Sequence, residues 1–262
     1  MKRVALPLLG AALLVIGACA PDAQKAASAP GFDPKDFSGT WDRYPLAAQP
    51  GGEPVVLPSI PVAARVPDPP LKPEHVEAWK AERKKFADAT AAGAPIATGY
   101  THCQPDGMPA MMMGMFPMEV LQTKRQTTII QEAYNQVRRI YLDDTLPAVE
   151  DAEPGFWGHS VGKWEGNDFV VETVGIKDYV KYNNTPHSDQ MRIHERMRMI
   201  DADHFENEVT IEDPVYLTGP WQWKWIYQRR PNYKMYEYVC EDNREFADPV
   251  TGEARMRIGE KK

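Results

Sequence analysis

The chain has 262 residues, of which 43% are hydrophobic and 26% are charged, and its formal net charge is −7. This length and composition fit one globular domain with a substantial hydrophobic core and an additional tail. The acidic balance argues against a nucleic-acid partner, because phosphate binding requires clustered lysine and arginine side chains.

The N-terminus has the pattern of a bacterial export signal. Lys2 and Arg3 precede a short apolar run over residues 5–17. This run is too short for a stable transmembrane helix, so residues 1–18 are predicted to be a signal peptide. The small residues before Cys19 resemble the lipobox of bacterial lipoproteins, and the alternative is an ordinary signal peptide that contains a cysteine.

By that resemblance, cleavage leaves Cys19 as the first residue, carrying palmitate and other acyl chains that anchor the protein to a membrane. Ala20, rather than aspartate, follows it and favours the outer membrane, with the protein facing the periplasm. Residues 19–35 are rich in alanine, proline and serine, which is typical of a flexible tether. Cleavage also removes two of the 30 basic residues, so that 28 remain against 37 acidic ones, a net charge of −9.

A single β-rich domain is predicted over residues 36–262. It begins with a short strand over 37–41 and an irregular, proline-rich segment over 45–71. One helix is predicted over 73–92, where a proline suits the first turn and a glycine follows the last. The apolar stripe of this helix is narrow, which predicts a helix packed on the outside of the domain.

From about residue 119 the apolar residues follow the period of two that strands require. Strands are predicted near 119–123, 127–133, 136–142, 156–164, 169–175, 190–200, 205–212, 221–229 and 233–240. The segments between them have no room for a helix of ten residues, so parallel crossovers are not expected. The prediction is a mainly β fold, an antiparallel meander that closes as a calycin-like barrel, with a β-sandwich as the alternative.

Two cysteines remain after the predicted cleavage, Cys103 and Cys240. Because exported compartments oxidise thiols, a disulfide between them is predicted, and two unpaired thiols are the alternative. The disulfide would tie an early segment to the last predicted strand. The sequence has no CxxC or HxxxH pair, so we predict no metal site and no cofactor.

Residues 158–162, Gly-His-Ser-Val-Gly, match the nucleophile elbow of serine hydrolases. That elbow requires a helix directly after the serine. Here a Glu-Gly-Asn-Asp hairpin turn and a β-branched run follow instead. Pairing Trp164 with Phe169 across this turn places Ser160 opposite Thr173, so the serine is predicted to be a strand residue with a hydroxyl partner.

Glu195 falls on the same strand face as methionine and isoleucine residues. A carboxylate on an apolar face is costly unless it is paired or used. A three-residue loop over 201–203 pairs Glu195 with Val209 and brings Asp213 to the same face, roughly 13 Å away and too far for a dyad. Two interpretations stay open: Glu195 is an acid/base or polar contact in a cavity, or it pairs with an arginine such as Arg139 or lies at the barrel mouth.

An aromatic stripe lies on one face of one predicted strand, with two tyrosines close behind it. Its members are Trp221, Trp223, Trp225 and Tyr227, and the tyrosines are Tyr236 and Tyr238. Such a stripe either lines a pocket for a flat apolar or aromatic ligand or forms core.

Six methionines cluster beside His102 and Cys103: Met108, Met111, Met112, Met113, Met115 and Met118. Thioethers in an exported protein suit Cu(I), but methionine also fills cores and lines pockets, and the run lacks repeated histidines. The remaining histidines have no ligand spacing. His159 is predicted to face the side of its strand opposite to Ser160.

Several motifs occur in a specific order along the chain, and they resemble a large family of exported bacterial proteins that have no settled activity. They are Cys-Gln-Pro-Asp-Gly-Met-Pro at 103–109, Arg-Ile-Tyr-Leu-Asp at 139–143, Gly-His-Ser-Val-Gly-Lys-Trp-Glu-Gly at 158–166, Val-Val-Glu-Thr at 170–173, Glu-Arg at 195–196, Thr-Ile-Glu-Asp-Pro at 210–214 and Pro-Trp at 220–221. The resemblance implies a domain over about 38–245 and no particular chemistry. It places the recurring polar positions at His159, Ser160, Thr173, Glu195 and Asp213.

Three functions follow from these observations. The first is a lipid-anchored envelope protein that binds a small hydrophobic or aromatic molecule in a barrel cavity. The second is an enzyme, a hydrolase, lyase or isomerase, that uses Glu195 as acid or base with His159 or Asp213 nearby. The third is a structural envelope lipoprotein without a ligand. A cavity above about 300 Å³ lined by Glu195 and the tryptophans would favour the first two, and a filled core would favour the third.

Overall fold

The computed structural model describes residues 31–47, 52–240, 245–247, 250–252 and 254–256. The predicted signal peptide, Cys19 and most of the predicted tether lie outside these residues. Within them, no helix combines the length and the apolar character that a membrane span requires.

Nine strands form a closed barrel in which each strand pairs with the next along the chain, and the first pairs with the ninth. They are β1 (Gly39–Arg43), β2 (Met118–Gln122), β3 (Gln126–Gln131), β4 (Gln136–Tyr141), β5 (His159–Glu165), β6 (Asp168–Val174), β7 (Arg192–Met199), β8 (His204–Glu212) and β9 (Trp221–Arg229). A separate two-stranded sheet joins β10 (Glu245–Ala247) and β11 (Ala254–Met256). The predicted mainly β, calycin-like barrel is confirmed.

The helix α1 (Pro73–Ala91) lies outside the barrel, as its narrow apolar stripe predicts. Trp79 is its main anchor, because the indole is buried and its Nε1 donates a hydrogen bond to the Asn183 carbonyl oxygen at 3.2 Å. Near the start of the helix, the His75 ring contacts the Tyr216 ring at 4.6 Å between centroids. The helix therefore rests on the loops that precede β7 and β9.

One pairing departs from the predicted antiparallel meander. Strands β4 and β5 run parallel, with Ile140 beside Ser160 and Tyr141 beside Val161. The expectation that parallel crossovers are absent is therefore wrong. Residues 142–158 make the crossover as an irregular loop with one short 3-10 turn, because a connection of a dozen or more residues is long enough without a long helix.

The predicted strand over 233–240 is also wrong. Strand β1 already pairs with β9, placing Trp41 beside Arg229, so the barrel leaves no free edge there for another strand. Residues 233–240 instead run irregularly along the outside of the barrel, where the Tyr233 hydroxyl and the Tyr236 amide each donate to Glu132 at 2.8 Å. Cys240 ends this run in a disulfide rather than in a strand.

The two glycines of the Gly-His-Ser-Val-Gly motif have structural roles in the barrel. Gly158 has φ +63°, and a Cβ there would collide with the Val174 carbonyl oxygen. A Cβ on Gly162 would lie 2.6 Å from the Phe169 ring and 2.8 Å from the Ile140 side chain. The first glycine of the motif is therefore required by a turn, and the second by close packing of its strand against the core.

Replacing Gly162 with alanine is expected to lower the free energy of unfolding by about 1–3 kcal/mol, because the core must move to accept one methyl group. Urea denaturation followed by tryptophan fluorescence measures the change. Gly219→Ala is the matched control, since a Cβ there meets no atom within 4 Å. Equal stability of the two variants would contradict the close packing at Gly162.

Candidate functional site

Five polar side chains meet inside the barrel and form what we call the buried polar cluster. They are Arg138 on β4, Ser160 on β5, Thr173 on β6, Glu195 on β7 and Asn207 on β8. Each takes an inward position on its strand, and five consecutive strands therefore contribute one polar group each. Apolar side chains such as Ile140 and Val171 surround the cluster within the same core.

Arg138 lies at the centre of the hydrogen bonds in this cluster. Its Nη2 donates to Glu195 Oε2 and, at 3.0 Å, to Thr173 Oγ1, while its Nε donates to Ser160 Oγ at 3.3 Å. Asn207 Nδ2 donates to the other carboxylate oxygen, Glu195 Oε1, at 2.8 Å. Both oxygens of Glu195 are therefore occupied by protein donors.

The Arg138 and Glu195 side chains are both completely buried, with 0% exposure. Removing two ions from water costs several kcal/mol each, and their attraction offsets that cost only when the geometry and the remaining hydrogen bonds are good. The threonine, serine and asparagine contacts provide those bonds here. Loss of either ion alone would leave an uncompensated charge in the core.

Two polar atoms of the cluster keep unused hydrogen-bonding capacity. Arg138 Nη1 is a buried donor and Asn207 Oδ1 a buried acceptor, and neither has a partner among the residues that the structure describes. Buried polar atoms without a partner are uncommon and costly. Arg138 Nη1 can donate to, and Asn207 Oδ1 can accept from, a polar group placed beside it.

The partner of Glu195 is not Arg139, the arginine that the sequence suggested, but Arg138. Strand alternation turns Arg139 outward into solvent, whereas Arg138 shares the inner face with Gln136 and Ile140. The same alternation could have identified Asn207, which lies between the inward Phe205 and Val209 on β8. Both Arg138 and Asn207 could therefore have been found by assigning alternate positions of each strand to the inner face.

Ser160 lies in the strand position that the turn predicts. It pairs with Thr173, and Trp164 pairs with Phe169. The hydroxyl oxygens of Ser160 and Thr173 are 2.8 Å apart, and Ser160 is 1% exposed. His159 is on the outer face, where its Nε2 lies 3.1 Å from an Asp144 carboxylate oxygen. In the described part of the chain, Ser160 Oγ therefore contacts Arg138 and Thr173 rather than a histidine, which does not fit a nucleophile elbow.

Asp213 lies at the end of β8, beyond the last paired residues, and holds two loops together. Its carboxylate accepts hydrogen bonds from the Ser188 backbone nitrogen at 2.6 Å, the Ser188 hydroxyl at 3.0 Å and the Val215 nitrogen at 2.9 Å. These bonds occupy the carboxylate. Asp213 thus fixes the loop before β7 to the turn after β8.

A small cavity, the end pocket, lies beside Asp213 at one end of the barrel. Its apolar walls are formed by Met108, Tyr182, Met191, Ile211 and Trp221. The free volume is about 20 Å³, which is space for about one water molecule. The pocket is therefore closed to an organic molecule while these side chains keep their positions.

Tyr182 fills the space in front of the aromatic stripe. Its ring stacks on Trp223 at 5.5 Å and also lies within 5.8 Å of Trp221 and 6.1 Å of Trp225. Its hydroxyl hydrogen-bonds one atom within the described ranges, the Met113 sulfur at 4.0 Å. Burial raises the pKa of Tyr182, although the nearby Arg43 charge acts to lower it. Tyr182 comes from an irregular loop, which no periodic pattern could have indicated.

The aromatic stripe on β9 forms part of the hydrophobic core. Trp221, Trp223, Trp225 and Tyr227 are all buried. The sequence suggested that Tyr236 and Tyr238 lie close behind the stripe, but in the structure they do not. Tyr236 is 71% exposed and Tyr238 contacts Tyr134, because the segment that carries them follows the outside of the barrel.

The methionines and cysteines have structural positions. Met108, Met111, Met112 and Met118 are buried in the core, whereas Met115 is exposed. The predicted disulfide between Cys103 and Cys240 is present and leaves neither residue a free thiol. Within the described ranges, no group of three histidine, cysteine, aspartate or glutamate side chains is arranged to hold a metal ion.

Comparison with known proteins finds no family model and no curated protein that matches this chain. Its function must therefore be inferred from the chemistry of its sites.

Arg138→Met is expected to destabilise the protein by about 3–5 kcal/mol, since it leaves the Glu195 carboxylate buried without its cation. Adding Glu195→Met should restore much of that loss, because the paired charges then disappear together. A double-mutant cycle by urea denaturation measures the coupling. Arg125→Met is the control: Arg125 forms an exposed ion pair with Asp143, and its loss should cost under about 1 kcal/mol. Strictly additive losses at Arg138 and Glu195 would show that the pair does not act as a unit.

Proposed function

We propose that this protein is a lipid-anchored protein of the bacterial envelope that binds a small flat, mainly apolar or aromatic molecule at the Tyr182 end of its barrel. The lipobox-like sequence before Cys19 supports the anchor and the outer-membrane location. The arrangement of Tyr182 against the tryptophan stripe is the observation that carries the binding proposal.

The Tyr182 ring occupies the position that a flat ligand would take. It stacks on one tryptophan and touches the two on either side, so three indole rings already form a site for one aromatic ring. Aromatic rings gain about 0.5–1.5 kcal/mol from such contacts beyond the burial of their area. A ligand that replaces Tyr182 would inherit these contacts.

Ligand entry requires movement, because the end pocket is too small in the present arrangement. The Tyr182 side chain suits this movement, because its ring can swing aside while Trp79 keeps the neighbouring Asn183 in place. Among the described residues, the Tyr182 hydroxyl has one hydrogen-bond partner, the Met113 sulfur at 4.0 Å. Moving the ring would cost the burial of one tyrosine, about 2 kcal/mol, which the ligand's own burial must exceed.

Polar atoms inside the barrel would determine the chemistry of the ligand. Trp223 Nε1 is a buried donor that, like Arg138 Nη1, has no partner in the described part of the chain. Trp223 pairs with Val209, which in turn pairs with Glu195, so the stripe and the buried polar cluster lie at the same level of the barrel. An aromatic molecule with one hydrogen-bond acceptor fits this arrangement best.

Catalysis by Glu195 has less support than binding. A general acid or base must reach the proton that it transfers, directly or through one water. The Glu195 carboxylate is fully buried, and Arg138 and Asn207 occupy both of its oxygens. The enzyme hypothesis also invoked His159 and Asp213. His159 lies on the outer face beside Asp144, and Asp213 accepts hydrogen bonds from two loops, so neither contacts Glu195.

A structural envelope protein without a ligand is the second candidate. The observation that favours it is the filled barrel, since aromatic and methionine side chains occupy the interior and the end pocket holds only about 20 Å³. The two candidates differ in whether a ligand displaces Tyr182, and this difference is open to experiment.

Titration with N-phenyl-1-naphthylamine, a flat apolar fluorophore, tests the choice. We expect the natural protein to bind the probe with blue-shifted emission. Tyr182→Ala should bind it roughly ten-fold more tightly, because the ring no longer has to be displaced. Tyr236→Ala, which removes an exposed tyrosine far from the stripe, should bind it like the natural protein. Absence of binding to both the natural protein and Tyr182→Ala would support the structural candidate.

Native mass spectrometry of the protein purified from its own periplasm would identify the natural ligand. A retained small molecule that Tyr182→Trp loses would support binding at this end, since the larger ring fills the site. Retention of the same molecule by Tyr182→Trp would place its site elsewhere.

A further inference from the structure

The loop that carries Tyr182 inward also forms one wall of an open cleft on the outside of the barrel, which we call the side cleft. The cleft has a volume of about 520 Å³. It is lined by Glu82 and Phe86 of helix α1, by Phe156, and by residues 97–99, 104–106, 179–181 and 183–184. This volume falls in the range of small-molecule sites. We propose that the side cleft is a second binding site, independent of the barrel interior, that binds a neutral pyranose sugar.

Tyr179 provides an aromatic platform in the cleft. Its side chain is 52% exposed, which is unusual for a large ring that belongs to a loop anchored in the core. The Phe156 ring meets it edge to face at 5.8 Å, and the Lys177 ammonium lies 5.6 Å from its centroid. These contacts favour one orientation of the ring, with Phe156 against its edge and the Lys177 ammonium over one of its faces.

Polar side chains line the cleft together with this platform. Glu82 on α1, Gln104 and the two asparagines Asn183 and Asn184 all line the cleft. Carboxylates accept hydrogen bonds only, whereas side-chain amides both donate and accept. The hydroxyl groups of a sugar also donate and accept, and the apolar C–H face of a pyranose ring suits an aromatic surface.

Backbone geometry fixes the two asparagines. Asn183 and Asn184 both have left-handed backbone conformations, with φ 52° and 56°. Asparagine tolerates this conformation better than most residues do, but two in succession require support from their surroundings. Trp79 of α1 supplies it by donating its indole hydrogen bond to the Asn183 carbonyl oxygen. The asparagine side chains are therefore presented from a fixed turn rather than from a free loop.

Asp106 lies in the cleft with its carboxylate only partly exposed. Gln136 Nε2 donates to Asp106 Oδ2 at 3.4 Å, which leaves the second oxygen for another donor. Burial raises the pKa of Asp106, and the Gln136 hydrogen bond acts to lower it. A partly buried acceptor of this kind suits a sugar hydroxyl donor.

The charges of the cleft favour a neutral sugar over other ligands. Glu82 and Asp106 disfavour phosphate and nucleic acid, which need clustered basic groups. Lys181, which also lines the cleft, balances part of that negative charge. A purely apolar molecule would leave the carboxylates and amides without partners, at a cost in affinity.

Saturation-transfer difference NMR on the whole protein tests the proposal with four neutral probes: cellobiose, maltose, lactose and di-N-acetylchitobiose. We expect transfer to the ring C–H protons of at least one probe. Tyr179→Ala should weaken that binding roughly ten-fold or more, and Tyr179→Phe should preserve it, since the ring face remains. Tyr236→Ala, which removes another exposed tyrosine, should leave it unchanged.

A second variant covers the case in which Tyr179→Ala disturbs the fold. Glu82→Ala changes an exposed residue of α1 and should weaken binding several-fold while leaving the thermal unfolding unchanged. Absence of transfer to all four probes with the natural protein would overturn the proposal. Binding that survives both Tyr179→Ala and Glu82→Ala unchanged would also overturn it. Neither result depends on Tyr182, so failure here is separate from failure of binding inside the barrel.

Discussion

The ion pair between Arg138 and Glu195 is the interaction on which the barrel interior depends. It joins β4 to β7 across the core, and Ser160, Thr173 and Asn207 complete its hydrogen bonds from the strands between and beside them. A shift of one residue in either strand would turn a charge out of the cluster and leave its partner buried alone. The pair and its three hydrogen-bond partners therefore favour the observed register over one shifted by a residue.

The buried polar cluster gives the Gly-His-Ser-Val-Gly motif a structural role instead of a catalytic one. Gly-His-Ser-Val-Gly supplies a glycine for a turn, a serine for the arginine and a second glycine for the close approach of Phe169. The same residues that match a hydrolase elbow thus serve packing and polar satisfaction in a barrel. A short motif acquires its meaning from the elements that flank it, and here a strand follows where a helix would be required.

Alternation and turn chemistry made much of the fold predictable. The Glu-Gly-Asn-Asp turn places Ser160 opposite Thr173, and the loop over 201–203 places Glu195 opposite Val209, as the structure confirms. Such local pairings depend on residues close in the chain. The partner of Glu195 was harder to predict, because Arg138 and Arg139 are consecutive and differ only in which face of the strand each one occupies.

Features that depend on distant parts of the chain were missed. Strands β4 and β5 pair in parallel, and residues 233–240 do not form the predicted strand. Both features follow from how the barrel closes on β1. Tyr182 lies in a loop with no hydrophobic period, yet it fills the centre of the aromatic stripe. The same loop directs Tyr179 outward, so a single irregular segment connects the two sites that we propose.

The account depends most directly on whether Arg138 is sealed inside the barrel. Hydrogen exchange of the arginine Nε protons, followed by ¹H–¹⁵N NMR near neutral pH, measures this in the intact protein. We expect a slowly exchanging Arg138 signal, because its Nε donates to Ser160 and its side chain is 0% exposed. Arg125, whose side chain is 82% exposed, should give a rapidly exchanging signal. Equally rapid exchange at Arg138 and Arg125 would contradict it.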